Sequence, residues 1–465
     1  MSTASLRLPQ LLAYGAPAAP LALLGLPLYV YVPSFYTETL GFSLVGVGVV
    51  LLAARLLDVV TDPLVGIMSD RWPGRYRRKS AMALGIPLLI VGLWALFRPI
   101  ADTGLATLGV AAALTYLGWT LLSVPYHAWG AELERDYHAR TRLAGVRELF
   151  VLGGTLLALV LPTVLAIADD RAATLDLFAR LMPWLLLPAA LIAAWSVPEV
   201  APPAVPRSGF SFSATVRSVL ANPALRRLLP AYFLNGIANG IPATLFLMFV
   251  SHVLQVESAA GWLLVAYFAA GILGLPLWWR VARRYGKHRT WCGAMLFCAA
   301  VFVTVPFTIG VGDVGAFAIV CVLTGLTLGA DVALPASMQA DAVEADALQS
   351  RAQRTALLFG LWGMVTKLAL ALAVGVTFPL LALAGFDPQG GNTGASLWFL
   401  ALAYGLLPVV IKLSAVALMW RFPLDAATLD RLRDSNLTRG YPDEAIQGVL
   451  VVTPVAAGRV RANAP

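Results

Sequence analysis

A succession of long apolar runs constrains this chain more than any other feature. Twelve can be marked, near residues 11–36, 42–68, 80–99, 104–128, 143–168, 180–197, 225–252, 259–281, 291–311, 314–338, 354–384 and 395–420. Each is close to the ~20 residues that a helix needs to cross a bilayer. Composition agrees: 59% of the 465 residues are hydrophobic and 12% charged, whereas a soluble chain carries about a quarter charged residues. The predicted fold class is an all-α membrane protein with twelve transmembrane helices in two six-helix halves. The first run follows a single basic residue, Arg7, and is too long for the core of a signal peptide, so it reads as the first span.

A net charge of +8 could suggest nucleic acid, but the placement of the charges excludes it. Basic residues gather in short loops, with Arg71, Arg75, Arg77, Arg78 and Lys79 after the second run and Arg283, Arg284, Lys287 and Arg289 after the eighth. The alternate loops are acidic, with Glu38, Asp102, Asp169, Asp170, Asp313 and Asp387. By the positive-inside rule, both termini are expected in the cytoplasm and the spans in the inner membrane. Between runs six and seven, Pro202, Pro203 and Pro206 mark a linker. The expected organisation is an N-terminal half (1–198), a cytoplasmic linker (199–224), a C-terminal half (225–422) and a largely irregular tail (423–465). The halves repeat: Pro125, Glu134 and Asp136 recur 210 residues later as Pro335, Glu344 and Asp346, and Pro63 and Gly74 recur as Pro276 and Gly286.

The sharpest chemical signal lies in the second run, at Arg55, Asp58, Thr61 and Asp62, followed by Pro63. Carboxylates four residues apart share one helix face, with Arg55 one turn away. Asp58 lies about 18 Å along the helix from Asp70 at the membrane edge. Charges at that depth cost about 2.5–3.5 kcal/mol each and mark function by default. Two acids on one face call for a proton or cation between them. Pro63 also frees the Val59 carbonyl as an extra oxygen ligand, and such oxygens suit Na⁺, Li⁺ or H⁺. A packing role for an Arg55–Asp58 pair is the structural alternative. No metal-ligand spacing or nucleophile motif points to an enzyme, and no cofactor is implied.

The loop residues Gly66, Asp70, Arg71, Gly74 and Arg75 have the spacing of the signature between the second and third spans of the major facilitator superfamily, which they resemble. They suggest a charge network at helix ends, made and broken as two halves rock, besides their role in topology. More specifically, the chain resembles the glycoside–pentoside–hexuronide:cation symporter family. The resemblance rests on the stretch from Arg55 to Pro63, on Val124–Pro125–Tyr126 with Arg140, Thr141, Arg142 and Arg147, and on Ala340–Asp341 through Lys367. It implies a cation site of Asp58, Thr61, Asp62 and Thr120, with Arg147 at the sugar site and Lys367 near both. The implied partners are a sugar-like solute, a coupling Na⁺ or H⁺ and the lipid bilayer, for a monomeric carrier.

The chain also departs from the galactoside-carrying members, with Ala22 and Ser123 where they place acids and His127 where they place an aromatic. A galactoside is therefore not the expected solute. Replacement polar groups are Asp331 in span ten and Asn235 and Asn239 in span seven, where interhelical bonding and a pore role are both open. Ser123 and His127 join the expected substrate residues, His127 as a proton carrier or a structural group. Trp119, Tyr267 and Trp362 are candidates for stacking on a sugar ring. An exporter or carrier of lysolipid-like amphiphiles on the same fold is the alternative function.

Overall fold

The structure, a computed structural model, describes residues 6–99, 104–134, 136–168, 170–199, 217, 219–350, 353–387 and 391–438. Twelve long rods follow in order: α1 (Leu8–Thr39), α2 (Leu44–Arg71), α3 (Arg77–Phe97), α4 (Leu105–Leu133), α5 (Tyr137–Val164), α6 (Arg171–Ser196), α7 (Pro223–Leu254), α8 (Glu257–Tyr285), α9 (Lys287–Thr308), α10 (Val314–Ser350), α11 (Thr355–Leu383) and α12 (Gly394–Met419). Eleven of them are long and apolar enough to cross a membrane. The other, α2, is 28 residues long and carries the expected acids. The chain is a multi-pass helical membrane protein.

Local chemistry sets the ends. Ser43, Asp136, Asp170, Asn222 and Thr393 cap α2, α5, α6, α7 and α12 by accepting backbone N–H bonds from the first turn. Glu199, just after α6, accepts from the Arg78 and Lys79 amides and so caps α3 from outside. Gly74 and Gly286 both take positive φ, 91° and 85°, at the matching turns after α2 and α8. Interior prolines also match, Pro63 with Pro276 and Pro125 with Pro335. The repeat in the sequence is thus a repeat in backbone geometry.

Three differences from the sequence reading have physical causes. α1 is not one even helix: it breaks at Ala16–Pro17 and widens to π-type turns at Pro27–Tyr31 and Phe35–Thr39, because its prolines remove ladder donors. α10 does not stop near Met338 but runs on to Ser350, since its polar last turns find ion-pair partners. Asp331 is therefore deeper within its helix than the expected edge implied. Part of the tail is also helical: α13 (Ala426–Thr438) begins where Asp425 accepts from the Thr428 amide, and it buries Leu429. Residues 200–216 and 218 of the expected linker and 439–465 of the tail lie outside the described residues.

The two sets of six helices meet along α2–α11 and α5–α8, with α5 also against α10. One apolar core fills the first set and another the second. A third joins residues of both, including Val65, Ala128, Ala356 and Phe359. Close approach of α2 and α11 depends on two glycines. A Cβ on Gly66 would stand 2.5 Å from the Ala356 carbonyl, and one on Gly360 would strike the Asp62 carbonyl. Small residues at such a crossing let backbones touch in a membrane, and here they bring α11 against the acidic face of α2.

Candidate ion and solute site

That crossing builds a compact charged cluster. Asp58 and Asp62 of α2 are both buried, and the Lys367 ammonium of α11 lies 2.7 Å from Asp58 Oδ2 and 2.7 Å from both oxygens of Asp62. Thr120 of α4 completes the cluster, with its hydroxyl 2.7 Å from Asp58 Oδ1 and 2.8 Å from Asp62 Oδ1. One hydroxyl carries one proton and can donate to only one of those oxygens. At the second short contact the charge that holds the carboxyls together is the Lys367 ammonium beside them. Arg55 stands over the Tyr29 ring, 4.2 Å from its centroid. Two acids and two bases make the group neutral overall.

The positive charge that stands between the two acids here is the Lys367 ammonium. Lys367, expected near both the cation and the solute, lies in the acid cluster. Thr61 turns its hydroxyl to the Asp58 backbone carbonyl at 3.1 Å, so it donates along the helix.

Other expected residues gather at a second place. Arg147 is buried and pairs with its neighbour Glu148 at 2.5 Å. With His127, Tyr14, Ser337 and Phe359 it lines a cavity of about 20 Å³, room for roughly one water. The His127 ring stacks on Phe359, centroids 6.2 Å apart, from the other set of helices. Ser123 is half-buried on α4, one turn from Thr120. Two aromatic candidates are already engaged: Trp119 packs against the first core, and Trp362 stacks on Tyr232 with centroids 3.6 Å apart.

At the end carrying the basic loops, the two sets are latched together. Asp70 accepts from the Ala356 and Leu357 amides at 3.0 and 2.9 Å, capping α11 from the other set. Arg78 binds Asp70 and Glu132, and Arg77 binds Glu132 and Gln353. Arg140 reaches Asp341 and Glu344, Lys287 shares Asp341, and Arg433 of α13 holds Glu344. Of the expected loop motif, Gly66 makes the helix crossing, Asp70 the latch and Gly74 the turn. Arg75 lies exposed by the Tyr76 ring, and Arg71 at the end of α2 is exposed too. Asp70 and Glu132 are bound by Arg77 and Arg78, which the sequence marks only as loop charges.

A profile of the MFS/sugar transport protein family matches residues 13–426. The chain belongs to that family. The stretch from Arg55 to Pro63 points to the same assignment. An uncharacterized symporter of Synechocystis is 33% identical over 165 residues, 33% of this chain but only 30% of the relative's length. The isoprimeverose transporter of Lactiplantibacillus pentosus is 21% identical over 84% of this chain and 83% of its own. Among solved structures, the fucose:proton symporter FucP of E. coli superposes with a TM-score of 0.64 at 14% identity, covering 87% of this chain and 97% of that one. At that identity, the likeness speaks for the fold.

This family member also holds a charged cluster that the sequence reading only half saw. Asp331 of α10 is paired with Lys412 of α12 at 2.9 Å, and Asp331 also accepts from Trp291 Nε1 at 2.8 Å. Lys412 donates as well to Asn235 and Asn239, at 2.7 and 2.8 Å. Lys412 stands alone in a long apolar run, and nothing local says which residue it meets.

Proposed function

We propose that the protein is a secondary transporter coupling Na⁺ or H⁺ to the movement of a sugar or glycoside-like solute across the inner membrane. The observation that carries this reading is the Asp58–Asp62–Thr120 cluster bridged by Lys367. A Na⁺ or proton entering the cluster competes with the ammonium, which stands 2.7 Å from three of its carboxylate oxygens. A displaced Lys367 needs new acceptors, and solute hydroxyls supply them. Cation and solute are thereby linked, each favouring the other.

Both termini and the basic loops lie on the cytoplasmic side in this reading, following the loop charges. The latched end is then the cytoplasmic gate, closed here, and the carrier acts as a monomer. The test is accumulation of labelled neutral sugars by proteoliposomes under an imposed Na⁺ or H⁺ gradient, with lysolipid as a comparison substrate. The reading expects gradient-driven sugar uptake that Asp58→Asn and Asp62→Asn both abolish in well-folded protein. Uptake unchanged in both variants, or lysolipid as the only substrate, contradicts it.

A further inference from the structure

The Asp331–Lys412 cluster leaves one polar group facing outward. Lys412 has three N–H donors, and Asn235, Asn239 and Asp331 take one each. Asp331 receives Trp291 on one oxygen and Lys412 and Asn239 on the other, and it is 8% exposed. Lys412 has no donor left for a ligand, and Asp331, buried and accepting three hydrogen bonds, keeps a single lone pair on Oδ1. The Asn239 amide differs. Its Oδ1 accepts from Lys412 and its Nδ2 donates to Asp331 at 3.2 Å, so the charged pair fixes which end of the amide is oxygen. One N–H and one lone pair remain, and Asn239 is exposed while Asn235 is buried. An exposed amide with spare hydrogen-bonding capacity is costly against lipid and belongs on a watered cavity wall. Its neighbour Gly240 packs on Ala373 of α11, the helix that carries Lys367.

We propose that Asn239 is a solute-binding residue of the second half, its amide held in one orientation by the buried Lys412–Asp331 pair so that it meets adjacent hydroxyls of a neutral sugar. An N–H and a carbonyl oxygen side by side complement a vicinal diol, one hydroxyl accepting and the other donating. Asp331 is then a positioning residue and does not touch solute. The inference rests on the symport reading and adds the residue that recognises the solute.

The test uses full-length protein in proteoliposomes with labelled D-xylose, L-fucose, D-glucose and methyl-β-D-glucoside, following the sugar that the unaltered protein accumulates most. Asn239→Leu is expected to raise the half-saturating sugar concentration about tenfold or more, the effect of losing roughly one to two hydrogen bonds. The half-saturating cation concentration should stay within about twofold, a split that a general packing defect does not produce. Asn239→Ser, which keeps a hydroxyl, should fall between, and it carries the test if the leucine variant is not monodisperse. Unchanged sugar half-saturation in the folded variants overturns the role of Asn239 and leaves symport standing. Equal loss of sugar and cation affinity overturns it in favour of a packing role. If the unaltered protein accumulates none of these sugars, the neutral-sugar reading and this assignment fall together.

Discussion

At the residue scale, the informative group is the Thr120 hydroxyl, which lies within 2.8 Å of an oxygen on each of two buried acids. Thr120→Val keeps the shape and removes the neutral donor that both carboxyls share. A hydrogen bond to a charged group is worth about 1.5–3 kcal/mol, so half-saturation by the coupling cation should rise about tenfold or more. Uptake measured against cation concentration checks this, and cation dependence equal to that of the unaltered protein would remove Thr120 from the site. Asp58 and Asp62 were readable from sequence because spacing along one helix is local. Lys412 was not, because a lone lysine in an apolar run takes its meaning from Asp331, 81 residues away. Asp331 stood out as an intramembrane acid, but its partner depends on how α10 and α12 lie together.

Among the helices, the α2–α11 crossing decides whether Lys367 can reach the acids. The clash at Gly360 is with backbone, which cannot rotate away as a side chain can. Gly360→Val should therefore push the helices apart at a cost of about 1–3 kcal/mol and lower the melting temperature of purified protein. It should also impair cation dependence without touching a charged group. A variant with unaltered melting and transport would show that the close approach is dispensable. The twelve long helices were legible because hydrophobic run length is a strong signal. Irregularity within α1, the polar extension of α10 and the short helix α13 were not, because prolines and paired charges set them and these act through neighbouring helices.

For the whole molecule, pairs that cross between the sets of helices latch the basic-loop end. Arg140 is central, holding Asp341 and Glu344 from the opposite set. Arg140→Ala leaves both acids with fewer cations and should favour opening of that end. Ser337, buried beside Thr141 at the same seam, can report it: Ser337→Cys should be labelled by a maleimide several-fold faster in the Arg140→Ala background. Equal labelling rates would mean that the latch does not control access. The two-half design was visible from the repeated Pro, Glu and Gly positions. A charge network at the loop end was expected from the Asp70 motif, but its partners were not, since pairing across the seam is a property of the assembled fold.

One cluster linking cation to solute makes the two affinities reciprocal, and that reciprocity can be measured. Solute affinity of the purified protein should be measured with and without saturating Na⁺, and across pH in its absence, for the unaltered chain and for Asp62→Asn. Solute affinity should rise several-fold or more with one of the two cations, and this gain should be lost in Asp62→Asn while weak solute binding persists. Solute affinity in the unaltered protein that is the same with either cation present or absent would contradict it.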